Sequence, residues 1–267
     1  MTFPEAADEI RVLFVADVVG RPGREAVKAL LPDLRRDQAA DLVIVNGENS
    51  AGGFGLTAAI VAELKSAGAD VVTTGNHVFD QREFVAELPG LDRVLRPLNL
   101  PPAAPGVGSC VVEVQGESVL VVNLMGRLFM NPIDDPFQAA DAILADHPEI
   151  RIVFCDFHGE ATSEKVAMGW HLAGRVSAVV GTHTHVPTAD ARILEGGTAY
   201  CTDVGMVGPR DSVIGMDRVA VLKRFLTSVP HRFEVASGPV TFNSVLIRID
   251  RLTGRATSIQ RIDLERS

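Results

Sequence analysis

Eight polar side chains fall where apolar runs of the chain end. Asp17 closes the run Ile10–Ala16 (IRVLFVA). Glu48 and Asn49 follow Leu42–Val45, and Asn76 and His77 follow Val71–Thr74. His158 comes just after Ile152–Asp156, and His183 and His185 come just after Ala178–Val180. The set offers imidazoles, carboxylates and amide oxygens with no thiolate, a mixture that suits Zn, Mn or Fe rather than a soft-metal or cluster site. Without His77 it still holds seven ligands, more than one tetrahedral ion needs. A carboxylate can bridge two ions, so the seven divide naturally over two sites. Two divalent cations against two carboxylates and a hydroxide leave one net positive charge, which attracts a phosphodiester monoanion. Two ions ~3.5–4 Å apart form the clamp used for in-line displacement at phosphorus. Taken singly, a His or Asp after a strand is an ordinary cap or turn residue, and Asn76-His77 reads as a turn. Joint occurrence on successive strand ends is what points to a metal centre. His147, His171 and His231 lack that placement and read as surface or packing residues.

The elements that must position these groups spell an α/β chain. Near-continuous, β-branched apolar runs are the mark of parallel strands covered on both faces. Between them lie helical spacings. Val27, Leu30, Leu31 and Leu34 follow Pro22 in a helix to about Gln38, Thr57 caps a helix Ala58–Ala67, and a short helix lies near Arg82–Leu88. The proline-rich stretch 98–108 predicts an irregular connection. Ser109–Val114 and Ser118–Asn123 predict a hairpin, as do Ala191–Leu194 with Thr198–Thr202 and Val240–Asp250 with Thr257–Asp263. Asp135–Asp146 and Ser163–His171 read as helices. The pattern gives a single domain, residues 1–267, with two sheets, parallel strands inside, hairpins at the edges and helices outside. In such sheets ligands bind beyond the carboxyl ends of the strands, which is where all eight polar residues stand.

Composition narrows the function classes. The chain has 267 residues, 46% of them hydrophobic and 22% charged, and a net charge of −9. That excludes a disordered chain and a coiled coil. It also argues against a long nucleic acid as partner, since no basic stripe is present; a small phosphate ester remains compatible. Three cysteines without CxxC spacing give neither a disulfide framework nor a thiolate zinc site. The acidic start MTFPEAADEI lacks the pattern of a signal peptide, and no run approaches ~18 apolar residues. The expectation is a cytoplasmic protein without a membrane span.

The motifs ADVVGRPGR, NGEN, GNHVFD, DFHGEATSEK, VVGTHTHVPTAD and TDVGMVGP run from Asp17 to about Pro209. Together they resemble the calcineurin-like metallophosphoesterases, most closely the YmdB-like branch of 2′,3′-cyclic nucleotide phosphodiesterases. Two departures from the broader superfamily fit that branch. Its D-x-H motif has Val19 in place of the imidazole, and Glu48 stands where a bridging Asp is usual. The resemblance implies a four-layer α-β-β-α sandwich with two mixed sheets. It implies a dinuclear phosphodiesterase in which a metal-bridging hydroxide attacks phosphorus. Asp17, Glu48, Asn49 and His185 would serve one ion; Glu48, as bridge, Asn76, His158 and His183 would serve the other. His77 resembles the family's proton donor, with Asp80 as its orienting partner or else as a helix cap. Oxygen in place of nitrogen hardens the site and favours Fe or Mn over Zn.

Weaker candidates surround this set. Arg21 and Arg24 could hold a phosphate at a helix start, although solvated surface charge is the plainer reading. Glu160 and Asp203 could orient ligating histidines or serve local turns, and Met206 and Met216, in the loop-rich stretch GMVGPRDSVIGM, could line a base pocket, although core packing is the plainer reading. Two other functions compete. One is a regulatory metal- or nucleotide-binding protein on the same fold, acting through a partner; a homo-oligomer is compatible with either. The other is an amidohydrolase barrel, but there HxH comes from the first strand, whereas here it comes late.

Overall fold

The computed structural model describes residues 9–267. In chain order its elements are β1 (Glu9–Val15), β2 (Asp17–Val18), α1 (Gly20–Asp37), β3 (Leu42–Asn46), α2 (Ala58–Ser66), β4 (Val71–Thr73), α3 (Arg82–Glu87), β5 (Val94–Leu95), β6 (Ser109–Val114), β7 (Glu117–Met125), α4 (Pro136–Asp146) and β8 (Ile152–His158). There follow α5 (Thr162–Leu172), β9 (Ala178–Thr182), β10 (Arg192–Leu194), β11 (Thr198–Cys201), β12 (Met206–Pro209), α6 (Arg218–Thr227), β13 (Val240–Asp250) and β14 (Ala256–Arg266).

The strands form two mixed sheets. One runs β2-β12-β13-β1-β3-β4-β5 with β14 added along β13; the other runs β10-β11-β9-β8-β7-β6. Period-2 alternation sorts each central strand between two environments. Ile10, Val12 and Phe14 of β1 face Ile152, Phe154 and Val180 of the second sheet, and the rings of Phe14 and Phe154 lie 5.4 Å apart. Leu13 and Val15 point the other way, onto Val27, Leu31, Val61 and Leu64 of α1 and α2. Val153, Cys155 and Phe157 of β8 likewise turn outward, toward Ala140 of α4 and Met168 and Leu172 of α5. Three apolar seams thus bind four layers, helix, sheet, sheet and helix, as the sequence predicts. Among the described residues no helix is long and apolar enough to cross a membrane, and all three cysteines are free.

Two features differ from the sequence reading. The final hairpin does not stand at an edge: β13 pairs with β1 and β12 as well as β14. It is long enough to serve β1 at one end and β12 at the other, and Phe242, Val245, Leu246, Ile247 and Ile249 are buried as an interior strand requires. The glycine-rich stretch after Asp203, for which the sequence pattern gives no regular element, holds β12 and leads to α6. Asp217 caps α6, accepting from the N–H groups of Val219 and Ala220.

Candidate metal centre

The carboxyl ends of β1, β3 and β4 in the first sheet and of β8 and β9 in the second open on one rim. All eight residues marked in the sequence meet there, at the seam between the two sheets. Asp17, Glu48, Asn49, Asn76 and His77 come from the first sheet's side; His158, His183 and His185 come from the second. His158 is the last residue of β8 rather than a loop residue, and Asp17 opens the short β2 after a break at Ala16. Asp17, Glu48 and His158 are fully buried.

The polar atoms converge. His158 Nε2 lies 3.0 Å from Glu48 Oε1, 2.9 Å from Asn76 Oδ1 and 3.0 Å from His183 Nδ1. Glu48 Oε2 accepts from the His77 N–H at 3.1 Å. His185 Nε2 stands 3.1 Å from Asn49 Nδ2 and 3.8 Å from Asp17 Oδ1. Asp17 Oδ2 accepts from the His183 N–H.

These residues fit a cation. Each of the three histidines has its other ring nitrogen tied to an oxygen: His158 Nδ1 to Thr182 Oγ1 at 2.9 Å, His183 Nε2 to Glu160 Oε2 at 3.0 Å and His185 Nδ1 to the Ile214 carbonyl at 2.9 Å. That pattern fixes the tautomer and turns the remaining lone pair inward, as outer partners of metal-bound imidazoles do. Asp17 Oδ1 is buried without a hydrogen-bond partner among the described residues, which is costly unless something positive meets it. One ligand atom each from Glu48, His158 and His183 lies within 4.8 Å of the others, a candidate metal-binding triad. Electrostatics agree. Burial lifts the Asp17 carboxyl to about 6 against the pull of His185 and His158. Burial acts the same way on Glu48, yet His158 and His77 hold it down at about 2. Burial opposes charge on His158, but Glu48 and Asp17 raise it to about 9. Burial and then His158 push His183 down to about 3. Positive charge is favoured between these donors, and His158 disfavours a further charge on His183.

Several supporting residues escape a reading by spacing. Asp156 lies two residues before His158 on the same face of β8, fully buried. It accepts from Thr182 Oγ1 at 2.7 Å, Thr73 Oγ1 at 2.5 Å and Asn46 Nδ2 at 3.1 Å, so it laces β3 and β4 to β8 and β9 and orients His158 through Thr182. Burial raises its pKa even so. Lys165 of α5 is buried as well; its Nζ donates to the Thr182 carbonyl and to Asp203, which also accepts from the Thr184 N–H. The Thr182–Thr184 backbone is thereby gripped from both sides, next to His183 (φ +100°) and His185 (φ +63°), both in the left-handed region. Gly75 is required by close approach: a Cβ there would come within 2.3 Å of His158 Nε2 and 2.5 Å of Glu48 Oε2.

The secondary candidates separate. Asp80 binds His77, with Oδ2 2.7 Å from Nδ1, and is no cap, since the cap residue of α3 is Gln81. Glu160 and Asp203 make the contacts just given. Arg21 pairs with Glu25 and Arg24 with Glu63, so neither faces the rim. Met216 lines the cavity above the site, whereas Met206 is buried in β12. That cavity, about 630 Å³, is also lined by the apolar side chains of Ile214, Val221, Phe225 and Phe233.

The fold and the triad define a metallophosphoesterase of the calcineurin-like superfamily. A family model described as YmdB-like protein matches residues 13–262, and the chain belongs to that family. It is 49% identical to the 2′,3′-cyclic-nucleotide 2′-phosphodiesterase of Bacillus subtilis (strain 168), over 95% of this chain and 96% of that one. The crystal structure of a hypothetical protein from Thermus thermophilus is similar at a TM-score of 0.92 and 46% identity, covering 97% of this chain and 100% of that one. A novel phosphatase from Mycoplasma pneumoniae superposes at a TM-score of 0.93 and 35% identity, over 97% and 94%. The protein is thus an enzyme of the metallophosphoesterase type, acting on small phosphoesters.

Proposed function

We propose that this enzyme is a dinuclear metal-dependent phosphodiesterase whose substrates are small cyclic phosphodiesters of the 2′,3′-cyclic nucleotide type. The observation that carries the reading is the convergence of six donor side chains around one buried carboxylate, Glu48. Asn49 and Asp17 lie against His185, and Asn76, Glu48 and His183 lie against His158. The first group with Glu48 would hold one ion, and the second with Glu48 the other. Four oxygen-bearing side chains against three imidazoles favour Fe or Mn over Zn. When bound, such ions supply Lewis-acid polarisation of the phosphoryl oxygens and neutralise their charge. The cyclic-nucleotide preference is supported by the Bacillus subtilis relative.

The chain itself supplies proton transfer and orientation. Asp80 accepts the Nδ1 proton of His77, which leaves Nε2 to carry the proton that a departing ribose oxygen takes. Glu48 fixes the backbone of that same residue through the His77 N–H, so the proton donor and the shared carboxylate keep a constant relation. Thr182, Glu160 and the Ile214 carbonyl hold the three imidazoles in single tautomers.

The test is metal analysis of protein purified without chelator, followed by a substrate panel with Mn- or Fe-loaded enzyme. Close to two ions per chain and hydrolysis of 2′,3′-cyclic nucleotides are expected. Fully loaded protein that is inert towards every phosphate ester, or that holds a single ion, would overturn the reading.

A further inference from the structure

We propose that Arg224 and Phe233 form a nucleobase subsite in the cavity shared with the metal centre, built to stack the flat ring of the leaving group. This rests on the phosphodiesterase reading above and adds to it what selects the substrate.

The cavity is two-faced. Its floor is the polar rim; its far wall comes from one stretch of chain, 213–233, that contributes nothing to the donor cluster beyond the carbonyl of Ile214. On that wall Ile214, Met216, Phe225 and Phe233 are apolar. Arg224 is the one Arg or Lys among the described residues lining the cavity. No carboxylate among the described residues pairs with it; instead its guanidinium lies over the ring of Phe233, 5.3 Å from the centroid. A guanidinium placed over one ring and bordering the cavity can still stack on a second ring and donate to its acceptors. A lone cation set among apolar groups suits a neutral aromatic heterocycle. A second phosphate would call for further donors, and the wall has none.

The direction of the chemistry points the same way. His77 marks the side on which the leaving oxygen departs, and Phe54 stands edge-on to it, with centroids 5.1 Å apart and planes at 69°. Phe54 also lines the cavity. His77, Phe54 and the 213–233 wall border one cavity, so a leaving group protonated by His77 stays within reach of that wall. Few-point polar recognition within a mostly apolar concavity is the usual build of a small-molecule subsite, and stacking of a base on an aromatic platform tolerates any base identity.

Two diesters separate the base from the chemistry: 2′,3′-cyclic AMP, and glycerol 1,2-cyclic phosphate, which keeps the five-membered cyclic phosphate without a base. In Mn-loaded wild type the nucleotide is preferred. In Arg224→Ala and in Phe233→Leu the ratio of kcat/KM for nucleotide over glycerol phosphate falls about tenfold, through KM. Arg224→Lys, which keeps charge but loses the plane, does not restore it. A readout independent of the metal is calorimetry with adenosine on the metal-free protein, where both variants bind about tenfold more weakly. A wild-type ratio near one, a ratio unmoved by either variant, or equal adenosine affinity in all three proteins overturns the subsite. Turnover of neither diester by loaded wild type, with adenosine binding still lost in the variants, instead sinks the phosphodiesterase reading and leaves the subsite standing.

Discussion

Lys165 Nζ lies 2.6 Å from Asp203 Oδ2, and both side chains are shut off from solvent. The pair sits directly beneath the turn that carries His183 and His185, with the Thr182 carbonyl on the lysine and the Thr184 N–H on the aspartate. Two consecutive-but-one residues in left-handed conformation cost roughly 1–3 kcal/mol each, and such strain persists only when its surroundings over-determine it. The ion pair is that constraint.

Removing one partner therefore strands a buried charge. Lys165→Met is expected to destabilise the protein by about 3–5 kcal/mol, read as a lower midpoint in chemical denaturation. Pairing it with Asp203→Asn should cost less than the sum of the single changes, because the two residues are coupled. Additive losses would mean that they act separately.

Gly75→Ala brings a methyl group against His158 and Glu48, whose side chains leave it no room. A displacement of about 1 Å at reacting groups can cost on the order of 10²-fold in rate, and a loss of at least that size is expected. Metal content measured alongside should fall as well. An alanine variant with full turnover would show that Glu48 and His158 need not approach as closely as they do here.

His77→Ala should keep its bound metal while turnover drops roughly 10²–10⁴-fold, the range for a lost general acid. Asp80→Asn, which leaves the imidazole in place but weakens its orientation, should give a smaller loss in kcat with little change in KM. Parallel elemental analysis separates loss of chemistry from loss of metal. The loss in His77→Ala should shrink for substrates whose leaving group departs without a proton, such as a nitrophenolate.

Glu63 ties α2 to α1 through Lys28 and Arg24. Burial pushes its carboxyl up, but Lys28 and Arg24 outweigh it and hold the pKa below the usual value. A depressed carboxylate stabilises the fold above its unfolded pKa of ~4.3, and that contribution disappears as pH falls through the folded value. Glu63→Gln should thus cost about 1 kcal/mol or less at neutral pH and converge on wild type in acid. Denaturation midpoints of both proteins across pH 3–7 test this; a gap that widens in acid has the wrong sign.

The donor set was legible because each residue interrupts or ends a continuous apolar run, and parallel strands bring such ends together. Spacing alone did not separate the two sheets, since β1, β3 and β4 read just as β8 and β9 do. Asp156 hid inside a strand: in FCDFH it looks like the end of an apolar run, and its partners Asn46, Thr73 and Thr182 lie far away in sequence. Lys165 sits in a helix rich in polar residues and reads as solvated until Asp203, 38 positions on, is brought against it. The 213–233 wall was missed for a different reason. The exposure of Phe225 and Leu226 breaks the amphipathic pattern by which a helix is recognised, and only Val221 of α6 is buried.

The carboxylate of Asp156 and the donors above it span the joint between the two halves of the sandwich. Whatever fills the rim consequently acts as a rivet: loosening either sheet by itself would have to break the same fastening. A loaded molecule should melt in one sharp step, whereas one stripped by chelation gives way first along this joint, where amide protons of β8 and β9 would exchange early.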